Sequence, residues 1–258
     1  LQIDGRDARA VMGKVLARMH GETAGLRANL ASSRFAPMYW KLYGEPEAFD
    51  LVLLQGGRRQ VLRVPGSRDL PAAIAAEADF SRTYRFERLP CGGALLTVGS
   101  FVWPDKEAFL AFTRDAFARI KADGVTTLII DIRANEGGND DMWRDGLLPY
   151  LATQRYQWAS AFKKRVMTAD PAKGEAVGDV VSGPLETWLD PDPGNPLRFN
   201  GKTYVLIGER TYSSAILFTN VMQHFGFAQI AGVGGLARAD QSGGTRSTEL
   251  ANSGLTVG

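Results

Sequence analysis

The stretch KTYVLIGERTYSSAILFTNVMQHFG, Lys202 to Gly226, decides the fold reading. An apolar, β-rich run breaks at Gly208, and a serine pair then opens an apolar helical stretch. A serine at a strand-to-helix turn is a candidate nucleophile. Its hydroxyl sits beside helix N-terminal amides that lack partners, and these favour the negative charge that develops during acyl transfer. Serine is equally an ordinary helix N-cap, so this motif alone leaves both readings open.

A second motif lies about 80 residues upstream: VTTLIIDIRANEGGNDD, Val125 to Asp141. Val125 to Ile132 reads as a continuous apolar strand buried on both faces, ending in a polar loop with paired glycines. Gly137 and Gly138 allow positive φ and can turn backbone N–H groups toward an anion. A strand-end turn that needs glycine only for its geometry is the alternative. Taken together, the two motifs fit an acyl-transfer site made of a serine and a glycine-loop oxyanion donor.

The pair resembles the S41 serine peptidases, the C-terminal processing and tricorn-like proteases. In that family a strand runs into D-[LI]-R-x-N-x-G-G, which DIRANEGG at Asp131 to Gly138 matches at each fixed position. A later strand leads to T-[FYA]-S-[AS]-A-E-x-F, and TYSSAILF, Thr211 to Phe218, matches it except that Ile216 stands where Glu is usual. The tail GGTRSTELANSGLTVG is similar to the family's region after the nucleophile, and the resemblance covers roughly Cys91 to Gly258. It implies Ser213 as nucleophile and Ser214 as a backbone oxyanion donor with Gly137 or Gly138, while Arg133 and Asn135 shape the loop. It also implies a peptide or protein substrate, an extracytoplasmic, periplasmic bacterial setting, and no cofactor.

The general base is where the chain departs from the pattern. In the processing-protease branch a Lys about 25 residues after the serine serves, and Arg238 occupies that position here. Arginine cannot replace it: with a pKa above about 12, it stays charged even where a lysine would lose its proton. The only histidines are His20 and His224. On a helix starting at Ser213, His224 lies about 16 Å along the axis, far beyond the roughly 3 Å of proton transfer. His20 follows an amphipathic stretch and precedes Gly21, which fits a last-turn histidine and leaves it a weak candidate base. The chain opens without Met on LQIDGRDA and closes on GLTVG, so it reads as an internal fragment whose base lies upstream, as in tricorn-like members.

Composition excludes several classes. The 258 residues carry a formal net charge of +2, and the basic residues are dispersed, which does not fit a nucleic-acid binder. A single cysteine, Cys91 in a PCGG turn, cannot form an intrachain disulfide, and no clustered ligands point to a metal. No run approaches the roughly 18 apolar residues of a membrane span. The sequence gives no oligomeric state.

Periodicity places helices over residues 7–20, 22–44, 105–122 and 141–152, a hairpin over Phe49 to Gly66, and strands at Leu95 to Phe101 and 156–167. RRQVLR, Arg58 to Arg63, reads as a half-exposed strand, and Ala72 to Ala78 as a short helix. The Pro-, Gly- and Asp-rich segment after Met167 reads as a surface excursion in which Trp188 and Leu189 either cover a groove or anchor the loop. The expected architecture is α/β: a layered crotonase/ClpP-like core over 91–258, a linker over 67–90, and a PDZ-like, helical part over 1–66. The expected function is a serine-type peptidase, with an inactive S41-fold peptide- or lipid-binding scaffold as the alternative.

Overall fold

The computed structural model describes residues 1–69, 79–90, 92–234, 243 and 247–257. The expected helix at Ala72 to Ala78, Cys91 and Arg238 therefore lie outside the described residues.

The N-terminal part is a four-stranded antiparallel sheet with helices. Strands β1 (Gln2–Ile3), β2 (Arg6–Asp7), β3 (Ala48–Gln55) and β4 (Arg58–Pro65) stand in the order β2-β1-β3-β4. Helices α1 (Ala8–Leu16), α2 (Ala24–Ser33) and α3 (Phe35–Tyr43) are inserted between β2 and β3. Side chains start the first two: Asp7 accepts from the Ala10 N–H at 2.9 Å, and Thr23 from the Leu26 N–H at 3.0 Å. Tyr39 of α3 is buried, packs on Phe49 of β3, and hydrogen-bonds Asp4. Every residue of β4 is exposed, so RRQVLR lies on a more open edge than its alternation implied.

The second sheet positions the site. Its strands are β5 (Tyr84–Arg88), β6 (Ala94–Val98), β7 (Thr127–Asp131), β10 (Lys202–Ile207) and β11 (Gln229–Gly232), in the order β11-β10-β7-β6-β5. All neighbours are parallel except β5, which runs antiparallel to β6. The helices are α4 (Phe80–Thr83), α5 (Lys106–Ala122), α6 (Asp140–Gly146), α7 (Leu148–Leu151) and α8 (Ser214–His224). From β6 to β11 each crossover steps to the next strand in one direction. Right-handed crossovers that step one way deposit their helices on one face, and α5, α6 and α8 indeed contact one another in series. Trp143, Phe109, Phe117 and Phe218 fill that layer, all fully buried.

The strands are not buried equally on both faces. Leu128 and Ile130 are fully buried, while Thr127 and Ile129 are half-buried, and β6 and β10 alternate in the same way. The apolar run at Val125 to Ile132 thus hid a two-sided strand whose second face is only partly covered. Tyr84 to Arg88, read from sequence as connecting chain, is an edge strand. The helix expected over 141–152 breaks at Leu147, because Pro149 lacks the N–H needed to continue it and instead sits in the first turn of α7.

The strand expected over 156–167 shrinks to β8 (Ala161–Arg165), paired with β9 (Val180–Pro184). Tyr156 instead makes an isolated bridge to Leu189, and Trp188 lies edge-on to Phe225, so the excursion is anchored at that point. A short ribbon of β12 (Thr248–Glu249) and β13 (Thr256–Val257) ends the described chain.

Candidate active site

Two loops meet at the C-terminal ends of the adjacent parallel strands β7 and β10, where open α/β sheets place their ligands. The β10 loop is pinned first. The Thr211 hydroxyl, fully buried, donates to the Ile132 carbonyl at 2.9 Å and accepts from the Gly208 N–H at 2.9 Å. The Tyr212 N–H then donates to the Asn135 carbonyl at 3.1 Å, tying the loop to its neighbour.

Ser213 follows with φ +52° and ψ −126°, one of two non-glycine residues at positive φ among those described. This conformation costs roughly 1–3 kcal/mol and persists only where surrounding contacts impose it. Ser213 precedes α8, yet its side chain makes no capping hydrogen bond. The capping alternative therefore does not describe this residue: its hydroxyl is left available.

The glycine loop is organised by Asn135, which is fully buried. Its Nδ2 donates to the Val98 carbonyl at 3.0 Å, and its Oδ1 accepts from the Gly137 N–H at 2.8 Å. Gly137 is thus already engaged, which separates the two glycines the sequence left equivalent. The Phe101–Gly138 bridge uses the Gly137 carbonyl and the Asn139 N–H, so the Gly138 N–H faces away from Phe101. Neither that N–H nor the Ser214 N–H has an acceptor among the described residues.

Contact between the loops is close. A Cβ on Gly137 would lie 2.7 Å from the Ser213 Cβ, 2.7 Å from the Tyr212 carbonyl oxygen and 2.9 Å from the Ser214 nitrogen. On Gly138 it would lie 2.3 Å from the Phe101 carbonyl oxygen. Both glycines have positive φ, at +102° and +136°. They are required by space as well as by conformation.

Charge around the loops is paired. Arg133 holds Asp131 through Nη2 at 2.7 Å and Nε at 2.9 Å, while its own side chain is largely exposed. Burial pushes the Asp131 carboxyl up, but the hydrogen bonds from Arg133 outweigh it and leave the group below the ordinary carboxylate range. Arg133 therefore supports the strand end through Asp131. Glu136 pairs with Arg34 at 3.0 Å and with Arg210 at 2.8 Å, linking the N-terminal part to both site loops. The Ser214 hydroxyl, also buried, accepts from Trp143 Nε1 and donates to Asp140. Sequence reading passed over Glu136, Asp140 and Trp143. Only Asp140, three residues beyond the first glycine, carried a local signal.

No described histidine or lysine hydrogen-bonds Ser213. His20 is exposed between α1 and α2 and makes no hydrogen bond among the described residues. His224 is exposed in the last turn of α8, its ring against Phe225. Lys106 is committed elsewhere: the hydrogen bonds its Nζ donates to Asp141 and Asp145, at 2.8 and 2.6 Å, raise its affinity for its proton. Ile216, at the position where Glu was expected, is buried in α8. Among the described residues no helix is long and apolar enough to cross a membrane.

Comparison with known proteins gives one consistent answer. Peptidase family S41 matches residues 95–256. No curated protein matches by sequence. Mature CPAF complexed with lactacystin superposes with a TM-score of 0.64 at 14% identity, over 99% of this chain and 66% of that one. A second structure of mature CPAF gives 0.59 at 14% identity, over the same shares. The photosystem II D1 C-terminal processing protease gives 0.39 at 16% identity, over 71% of this chain and 42% of that one. The chain thus spans slightly less than two thirds of the CPAF structures whose mixed α/β fold it shares. The matched stretch contains both the glycine loop after β7 and the serine turn after β10, and the chain belongs to peptidase family S41.

Proposed function

We propose that this chain carries the nucleophile and oxyanion pocket of a serine peptidase acting on peptide or protein substrates. The observation that carries the reading is Ser213, held at φ +52° with no capping bond, in contact with the Gly137 loop. The Ser213 Oγ attacks the scissile carbonyl carbon while its proton passes to a base, and the carbonyl oxygen becomes an oxyanion. The N–H groups of Ser214 and Gly138, both without acceptors among the described residues, receive that charge; each such donor contributes roughly 3–4 kcal/mol to the transition state. Collapse breaks the C–N bond, the amine leaves with the proton, and water hydrolyses the Ser213 ester.

The base comes from a group other than His224, which shares the rigid α8 with the nucleophile turn at about 16 Å. The N-terminal sheet and helices, read from sequence as PDZ-like, act in this proposal as an accessory module joined to the site loop through Arg34 and Glu136.

A fluorophosphonate probe tests the reading on the product of the complete gene. Attack by an activated serine displaces fluoride and leaves a stable phosphonyl ester, which peptide mass spectrometry locates. Labelling is expected at Ser213 in native protein, absent after heat denaturation and in Ser213→Ala. A folded protein that takes no label, or takes it at another serine, overturns the proposal.

A further inference from the structure

The Ser214 side chain has no role in the acyl-transfer scheme, which uses only its backbone. It is nevertheless 2% exposed and bonded on both sides. Trp143 Nε1 donates to its Oγ at 2.9 Å, and its hydroxyl donates to Asp140 Oδ1 at 2.5 Å. Trp143 is itself fully buried, so its indole N–H needs an acceptor inside the protein, and Ser214 Oγ is that acceptor. With its proton committed to a carboxylate, the Ser214 hydroxyl is the wrong serine to attack a substrate.

The two partners share one element. Asp140 and Trp143 belong to α6, whose first residue follows Gly138 by two positions, while Ser214 opens α8. The link therefore fastens the helix after the glycine loop to the helix after Ser213. Other contacts hold the same pieces at other points: Trp143 meets Phe218 at 6.0 Å between ring centroids, and backbone hydrogen bonds join Phe101 to Gly137 and Asn139 on either side of Gly138. The Phe101 bonds hold the glycine loop without reaching Ser214, and the ring contact, being non-directional, permits small sliding. A buried, charge-assisted hydrogen bond at Ser214 itself does not.

We infer that Ser214 and Asp140 are positioning residues for the oxyanion pocket, with Trp143–Ser214–Asp140 setting where the Ser214 N–H lies relative to that of Gly138. The inference rests on the peptidase reading above and adds that the second serine acts through its side chain as well as its backbone. An oxyanion donor acts mainly on the transition state, so displacing it slows the chemical step and leaves ground-state binding nearly intact.

The test uses the fluorophosphonate probe, whose phosphoryl oxygen occupies the pocket, on the complete gene product. The maximal rate of labelling and the half-saturating probe concentration are measured separately for wild type, Ser214→Ala, Asp140→Ala and Asp140→Asn. Urea midpoints are measured in parallel. Deleting a donor costs roughly 100- to 1000-fold, and misplacing one costs less. Ser214→Ala and Asp140→Ala should therefore label roughly 10- to 100-fold more slowly, with the half-saturating concentration within about threefold of wild type. Their double variant should be no slower than the worse single one. Asp140→Asn keeps the accepting oxygen and the shape, and should recover to within about threefold.

If wild type labels Ser213 and the folded Ala variants label within twofold of it, the link is only packing and this inference fails while the peptidase reading stands. If wild type does not label Ser213, both fall. Should the Ala variants not fold, Asp140→Asn decides: a loss as large as that of Ser213→Ala overturns the inference, and near-wild-type labelling supports it.

Discussion

Replacing Gly137 by alanine tests the closeness of the two loops most directly. Two costs separate at this position. The first is conformational: φ +102° is a region that L-residues rarely adopt, at about 1–3 kcal/mol. The second is steric, since the new methyl would sit 2.7 Å from the Ser213 Cβ and the Tyr212 carbonyl oxygen and 2.9 Å from the Ser214 nitrogen. Two of those neighbours are backbone atoms, so no rotamer change relieves the clash, and overpacking of this kind costs about 1–3 kcal/mol. The expected total is about 2–6 kcal/mol. Gly124→Ala is the matched control, with φ +60° and nothing within 4 Å of its would-be methyl. It should lose only the conformational part, about 1–2 kcal/mol. Urea unfolding of the two variants beside wild type reads the difference. Equal destabilisation, or Gly137→Ala within about 0.5 kcal/mol of wild type, would refute the packed contact and the pocket built on it.

Further outcomes follow from single residues. Asn135→Ala leaves the Gly137 N–H and the Val98 carbonyl without partners in a buried place, at about 1–3 kcal/mol each, and should lower stability by about 2–6 kcal/mol in urea unfolding. Ser213→Gly removes the positive-φ strain and the hydroxyl together. Its Tm should equal or exceed that of wild type while probe labelling disappears; a clear loss of stability would mean that Ser213 is unstrained. Asp131 has a depressed carboxyl pKa, so its stabilisation is present above the unfolded carboxylate range and is lost as pH falls through the folded value. Arg133→Gln should therefore be less stable than wild type at about pH 7, with the gap closing below about pH 4. A gap unchanged in acid would assign Arg133 a role unrelated to Asp131.

What could be read in advance was local. DIRANEGG and TYSSAILF each encode their turn within eight residues, and of the two serines it is Ser213 that carries positive φ. The Asn135 contact with the Gly137 N–H spans two residues and has the form of an Asx turn, a pattern local enough for sequence to carry. Tyr84 and Phe86 alternate with Arg85 and Glu87, the period of a strand, but their charged partners made the segment resemble connecting chain. The remainder is tertiary. Trp143 meets Ser214 across 71 residues, and Arg34 meets Glu136 across 102. No periodicity or propensity speaks to such a pair.

The serine turn and the glycine loop leave from strands that are hydrogen-bonded neighbours, with Leu206 opposite Asp131. Their separation is consequently set by the sheet's own lattice, about 4.8 Å between strands. The roughly 70 residues joining those strands do not set it, and closing a loop of that size costs only about 0.6 kcal/mol more for each doubling of its length. That long detour, with its exposed β8–β9 ribbon, is open to extension, trimming or replacement while the two loops stay where the hydrogen-bond ladder puts them. Sequence change has a natural place to accumulate there, physically decoupled from the paired loops.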